Sequence, residues 1–149
     1  MRLFATFGIG LIVIACLAAD EGKKDAKFDA GKVVGDWTYV SGTKSGEAVE
    51  KNRLQGKVTF TKDTITLPAD ENQKFVMGYT IDAKSSPATI DMEIKDGPVK
   101  EGKAEGIITV EGDQLKLCYV PTFAGGKRPT KFESTKDNGA FLFVLKKAK

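Results

Sequence analysis

The sequence contains no histidine and only two cysteines, Cys16 and Cys118. Without an imidazole, the chain cannot build a Ser-His-Asp or Cys-His nucleophile system, or a zinc site with imidazole ligands. Its 23 Lys and Arg residues and 20 Asp and Glu residues are interspersed, which predicts no basic patch and no nucleic-acid partner. We also expect no catalytic residue, no metal and no cofactor.

Long uncharged runs are also absent, with one exception, which extends from Leu3 to Ala19 after Arg2. A short basic start, an apolar stretch and small residues near its end are typical of a secretory signal peptide. The run is at the lower limit of what spans a bilayer, and Gly8 and Gly10 weaken it further. We therefore expect export to the periplasm, the cell envelope or the medium.

Two modes of cleavage are open. In the first, residues 1–19 are a conventional signal peptide, with small residues at its exit. In the second, Val13-Ile14-Ala15-Cys16 resembles a bacterial lipobox, so that the signal ends at Ala15 and Cys16 carries a lipid anchor to the membrane. In both modes Cys118 is the only free thiol left, so a hydrophobic core rather than a disulfide has to hold the domain together.

The remainder divides into a linker and one domain. Residues 20–33 are mostly charged or small and are predicted to connect the signal to the fold. Residues 34–149 consist of short runs with period-two alternation, clearest from Thr89 to Lys95 and from Gln114 to Tyr119. Because turn residues separate eight or nine such runs, we predict an all-β domain, an antiparallel up-and-down barrel. Gly78 and Gly106 interrupt strands and indicate bends or close packing.

The alternation also predicts which side chains fill the barrel. They are bulky, which favours a filled core or at most a narrow apolar pocket. The predicted inward set is Phe60, Ile65, Leu67, Phe75, Met77, Tyr79, Ile90, Met92, Ile94, Leu117, Phe132, Phe141 and Phe143.

Residues 141–145 depart from the alternation, because they are apolar on both faces. One interpretation is that loops or the N-terminal segment cover the outer side of this strand. The other is an exposed strip from Leu142 to Val144 that docks a partner protein of the cell envelope.

A Gly-x-Trp motif, Gly35-Asp36-Trp37, opens the first predicted strand. It resembles the lipocalin and calycin signature, in which the Trp closes one end of the barrel beneath a cationic side chain. The resemblance implies that Lys146 or Arg128 fills that cationic role by stacking on the indole.

The domain as a whole is similar to an uncharacterised lipocalin-like family expanded in planctomycete bacteria. The similarity covers about residues 34–146, and Ile108 departs from it, since the family usually carries an aromatic residue there. It implies a lipocalin-like barrel and export, and no activity. The matching elements are Leu54-x-Gly56, Thr59-Phe60, Gly78-x-x-Ile81-Asp82, Pro87, Ile90-Asp91, Gly97, Gly102, Gly106-Ile107, Gly112-Asp113-x-Leu115-x-Leu117-Cys118 and Arg128-Pro129-x-x-Phe132.

Candidate sites are few. Asp91 and Glu93 share one outward strand face, and we interpret them as solvated rather than as an acid–base pair. The loop 121–131 carries Phe123, two glycines and Arg128, which together are able to bind an anion, but we favour a solvated loop with Arg128 packed against Trp37.

From these residues we expect an exported, non-catalytic domain that binds a small apolar molecule in its barrel. The candidate ligand residues are Tyr79, Met92, Phe143, Phe123 and Arg128. The alternative is a structural or protein-interaction domain of the cell envelope with a filled barrel.

Overall fold

The structure is a computed structural model that describes residues 28–70 and 72–149. Nine antiparallel strands form one sheet in the order β2-β1-β3-β4-β5-β6-β7-β8-β9, and β1 also pairs with β9. Eight strands thus close into an up-and-down barrel, and the short β2 is an extra strand on the edge of β1. The predicted all-β barrel is confirmed. The strands are β1 (Gly35–Lys44), β2 (Glu47–Ala48), β3 (Lys57–Phe60), β4 (Thr64–Asp70), β5 (Gln73–Asp82), β6 (Ala88–Asp96), β7 (Lys103–Glu111), β8 (Gln114–Pro121) and β9 (Phe141–Lys147).

Three short 3₁₀ turns, Ala30–Val33, Lys51–Leu54 and Thr122–Ala124, complete the secondary structure of the described residues. The predicted signal peptide, the lipobox with Cys16 and the linker up to residue 27 lie outside the described residues. Within the part of the chain that the structure describes, no helix has the length and apolar character needed to cross a bilayer.

The barrel interior is the main hydrophobic core, and most of the predicted inward residues belong to it. Half-buried Leu67, Phe75, Tyr79, Ile94 and Phe143 pack against its edge. The buried members are Val33, Trp37, Val58, Phe60, Ile65, Met77, Ala88, Ile90, Met92, Ala104, Ile108, Leu115, Leu117 and Leu145.

One inward prediction is wrong. Phe132 belongs to a second cluster with Ile107, Cys118, Val120 and Leu142, the outward-facing residues of β7, β8 and β9. The long segment between β8 and β9, which carries Phe132, folds back over this outer face. It therefore covers Leu142, as the first interpretation of residues 141–145 expects, and Cys118 is fully buried beneath it.

The two ends of the barrel differ. One end, which we call the Trp37 end, carries the β3–β4, β5–β6 and β7–β8 turns and the start of β1. There Trp37 is completely buried, and its indole N–H donates a 2.8 Å hydrogen bond to the carbonyl of Val33. The Ala30–Val33 turn, which precedes β1, supplies that carbonyl and so closes this end against the indole.

The cation above the indole is Lys147, which corrects the expectation of Lys146 or Arg128. The Lys147 Nζ lies 4.8 Å from the Trp37 ring centroid and donates a 2.7 Å hydrogen bond to the carbonyl of Val34. Because side chains alternate along β9, Lys146 points outward, 3.9 Å from the carboxylate of Asp113.

Gly35 is part of the same arrangement. Its φ is +130°, a conformation that favours glycine, and a Cβ there would lie 2.7 Å from the Lys147 Nζ. The Gly-x-Trp motif therefore leaves space for the lysine that covers the indole.

At the opposite end, which we call the Phe141 end, β1 changes its alternation. A β-bulge lies between Tyr39 and Ser41, where Val40 is an extra residue and is 56% exposed. A bulge shifts the side-chain parity of a strand. As a result Gly42 pairs with Phe143, and Lys44 pairs with Phe141. Gly42 and Lys44 are therefore aligned with the inward-facing residues of β9.

We predict that Lys147→Met lowers the free energy of unfolding by about 1–2 kcal/mol, because the indole loses its cation and Val34 its charged donor. Lys146→Met is the matched control and should change it by less than about 0.5 kcal/mol, since its ion pair is exposed. Denaturant unfolding followed by Trp37 fluorescence measures both. Equal effects of the two substitutions would contradict the assignment of Lys147.

Candidate functional site

The structure separates the predicted ligand residues. Tyr79 and Met92 are register partners on β5 and β6. The Tyr79 hydroxyl donates a 2.6 Å hydrogen bond to the carbonyl of Thr61, in the β3–β4 turn of the Trp37 end, and Met92 is only 2% exposed. The Tyr79 hydroxyl is thus already hydrogen-bonded within the protein, and the Met92 side chain is almost completely buried.

Phe123 and Arg128 lie outside the barrel. Phe123, in the 3₁₀ turn after β8, is 81% exposed. Arg128 donates hydrogen bonds to the carbonyls of Ile90 and Gly106, at 3.2 and 3.0 Å, and forms an ion pair with Asp91. Arg128 therefore fastens the β8–β9 segment to β6 and β7, and Asp91, predicted to be solvated, is its partner.

Phe143 lies in a third place, half-buried against the core inside the barrel. It belongs to an aromatic group at the Phe141 end that also contains Tyr39, Tyr119 and Phe141. The Phe143 ring centroid is 5.5 Å from that of Tyr39 and 6.2 Å from those of Tyr119 and Phe141. Tyr119 and Phe141 are stacked, with centroids 5.1 Å apart and planes 5° apart.

Two glycines make room for these rings. A Cβ at Gly42 would lie 2.9 Å from the Phe143 ring, and 2.9 Å from the side chain of Leu54. A Cβ at Gly106 would collide with the carbonyl of Cys118 and lie 2.7 Å from the Cβ of Tyr119. The close packing expected at Gly106 is therefore present. Gly42 and Gly106 leave the space that the larger side chains of Phe143 and Tyr119 occupy.

The hydroxyls of Tyr39 and Tyr119 are chemically available. Neither takes part in any side-chain hydrogen bond among the described residues, whereas that of Tyr79 does. Within the same residues, no fully buried side-chain nitrogen or oxygen lacks a partner. The hydroxyl oxygens of Tyr39 and Tyr119 are therefore not completely enclosed by the protein, although their rings are largely covered.

Burial keeps both phenols neutral. It raises the pKa of Tyr39 from 10.0 to about 12 and raises the pKa of Tyr119 further, with a smaller contribution from the proximity of Tyr39. Neutral phenols both donate and accept hydrogen bonds. The aromatic group therefore offers apolar rings and two polar contacts in one place.

Lys44 completes the site. It is exposed, and its Nζ lies 5.2 Å from the centroid of the Phe141 ring. Register places Lys44, Phe141 and Tyr119 in one row across β1, β9 and β8. A cation thus borders the aromatic group at the rim of the barrel.

Two other depressions lie on the outer surface. A groove of about 560 Å³ includes the predicted ligand residues Tyr79 and Met92 in its lining, together with Asp91, and one of about 430 Å³ lies along residues 125–138. The second depression includes Arg128 of the loop considered above as an anion site. Arg128 is already paired with Asp91. Among the described residues, no group of three or more His, Cys, Asp or Glu side chains is placed to hold a metal ion.

The sequence interpretation missed Tyr39 and Lys44 as site residues and did not assign Tyr119 to a ligand. Period-two alternation from Leu115 to Tyr119 does place Tyr119 inside, so that signal was available. Alternation from Trp37, by contrast, predicts Ser41 and Thr43 on the inner face instead of Gly42 and Lys44. No residue pattern marks the bulge that reverses them.

No protein-family model matches the chain, and neither a curated protein nor a solved structure matches it. Its function therefore has to be inferred from its own geometry.

We predict that stability falls above pH 10 through Tyr39. Below pH 10 the folded and unfolded states both hold the phenol proton. As the pH rises from 10 towards 12, only the unfolded state releases it, because the folded-state pKa is about 12. About 2–3 kcal/mol of unfolding free energy is lost over that range.

The measurement is urea unfolding of wild type and Tyr39→Phe at pH values from 9 to 12. The variant, which has no proton to release there, should gain about 2–3 kcal/mol relative to wild type across the range. A difference that stays constant with pH would show that the Tyr39 phenol is not buried.

Proposed function

We propose that the protein is an exported, non-catalytic binding domain that holds a small molecule at the Phe141 end of its barrel. The observation that carries this proposal is the pair of phenol hydroxyls, Tyr39 and Tyr119, that face accessible space without a protein partner in the described residues. Hydroxyls without a protein partner are free to bond to water or to a bound molecule that displaces it.

The packing supports a ligand that is largely apolar. The rings of Tyr39, Tyr119, Phe141 and Phe143 pack against one another. Ligand sites typically combine apolar and aromatic walls with a few polar groups that fix orientation. The ligand is small, because deeper in the barrel Leu117, Leu145 and Leu115 are at most 1% exposed and already fill the interior.

Export is the second part of the proposal, and it depends on the N-terminal pattern. The basic start, the apolar run from Leu3 and the small residues before Asp20 support it. The lack of histidine supports a non-catalytic role, since the commonest side chain for acid–base catalysis is missing. The lipocalin-like resemblance fits the same function, because barrels of eight strands are able to hold one small ligand.

The alternative is a structural or interaction domain of the cell envelope. One observation favours it: Phe123 is 81% exposed, close to the Phe141 end, where β8 leaves the barrel. Large exposed aromatic side chains are enriched at protein interfaces.

We predict that the protein binds methyl 2-naphthoate, a neutral probe with a flat apolar body and an ester oxygen that accepts hydrogen bonds. Tyr119→Phe keeps the ring and removes the hydroxyl, so the affinity should fall about two- to tenfold, as should that of Tyr39→Phe. Isothermal titration calorimetry gives the three dissociation constants.

Tyr79→Phe is the matched control, because its hydroxyl is bonded to Thr61 at the other end of the barrel. It should leave the affinity unchanged. No binding by wild type, or an equal loss with all three variants, would contradict the proposed site. If Phe123→Ala weakened the capture of a cell-envelope protein and the tyrosine variants did not, this result would favour the alternative.

A further inference from the structure

We infer that the ligand is an anion: a small carboxylic acid with an apolar body, whose carboxylate meets the ammonium group of Lys44. This inference rests on the proposed function, since it names the ligand class of the same site. Its foundation is the position of Lys44, which the bulge in β1 brings to the rim of the aromatic group.

Lys44 has no anionic partner in the described structure. The ion pairs among those residues involve Lys95, Arg128 and Lys146, and no carboxylate oxygen lies within 4.0 Å of the Lys44 Nζ. Its register partner on β2 is Glu47, which is exposed and does not form an ion pair with it. The ammonium is therefore free to pair with a ligand, and Glu47 is the nearest competitor by register.

The same lysine decides between ligand charges. An aromatic group of this kind, taken alone, also suits a quaternary ammonium ligand, which binds to ring faces. Here the Lys44 ammonium already lies over Phe141, 5.2 Å from its centroid. A second cation at that rim would be repelled, whereas an anion would be attracted.

The phenols add the hydrogen-bond chemistry that a carboxylate requires. A carboxylate only accepts hydrogen bonds, and neutral phenols donate them. Tyr119 stacks on the Phe141 ring that Lys44 covers, so a phenol donor and an ammonium donor flank the same ring. The Phe141 ring is therefore in contact with both the ring of a phenol and the ammonium group, which are the two kinds of donor that a carboxylate can use.

The experiment measures by calorimetry the binding of decanoate and 2-naphthoate, each beside its methyl ester, and of decyltrimethylammonium. We expect each acid to bind about tenfold more tightly than its ester, and the ammonium compound to bind more weakly than the ester. The preference for the acids should fall as salt is raised, since the rim charges are exposed.

Lys44→Met keeps the apolar stem and removes the charge, so acid affinity should fall about fivefold while ester affinity stays the same. Lys62→Met, an exposed lysine in the β3–β4 turn at the other end, is the control and should change neither. Glu47→Gln removes the competing charge, and acid affinity should rise about twofold. If Lys44 had only a structural role, Lys44→Met and Glu47→Gln would not change the acid affinity in opposite directions.

The outcomes separate the two proposals. Equal binding of acids and esters, or tighter binding of the ammonium compound, overturns the anion inference and leaves the proposed function standing. No binding of any probe overturns both. An equal loss of acid affinity in Lys44→Met and Lys62→Met also overturns the inference, because it would reflect net charge rather than the site.

Discussion

The pairing of the first strand with the last determines both ends of this barrel. At the start of β1 it places Lys147 opposite Trp37, which closes one end. At the end of β1 it places Lys44 opposite Phe141, which forms the rim of the other. Between them, the bulge at Val40 keeps the inward rows of the two strands matched. Without this seam the sheet would have two open edges and neither end would exist.

The interior of the barrel is filled most completely in its middle and less completely at the Phe141 end. In the middle, Leu115, Leu117 and Leu145 are almost completely buried, which gives a domain without a disulfide its core. Towards the Phe141 end the side chains become aromatic, only half-buried and partly polar. The stable part of the structure and the proposed binding part are therefore stacked along the barrel axis, and a change at the rim need not disturb the core.

Much of the fold follows from the sequence. Alternating apolar residues, as at Ile90 and Met92, predict strands, and their number and spacing predict closure. The expectation of Lys146 or Arg128 over Trp37 was wrong, although the alternation that places Phe143 and Leu145 inside also points to Lys147. The covering of Leu142 by Phe132 involves contacts across the outer face of the barrel that no local pattern encodes.

The site was harder to predict, because it depends on one irregularity. The bulge after Tyr39 is set by pairing with β9, about 100 residues away in sequence, and not by local propensity. The bulge places Gly42 and Lys44 in the inward-facing row, where uninterrupted alternation would place Ser41 and Thr43. Local periodicity therefore located Phe143 but missed Lys44, the cation over Phe141.

The central claim is that the Tyr39 and Tyr119 hydroxyls face a space that a ligand can occupy. A high-resolution crystal structure of the protein purified from its own host tests this most directly. We expect electron density for water or for a bound molecule within hydrogen-bond distance of both hydroxyls. Hydroxyls that are bonded to backbone carbonyls, or enclosed entirely by protein atoms, would contradict it.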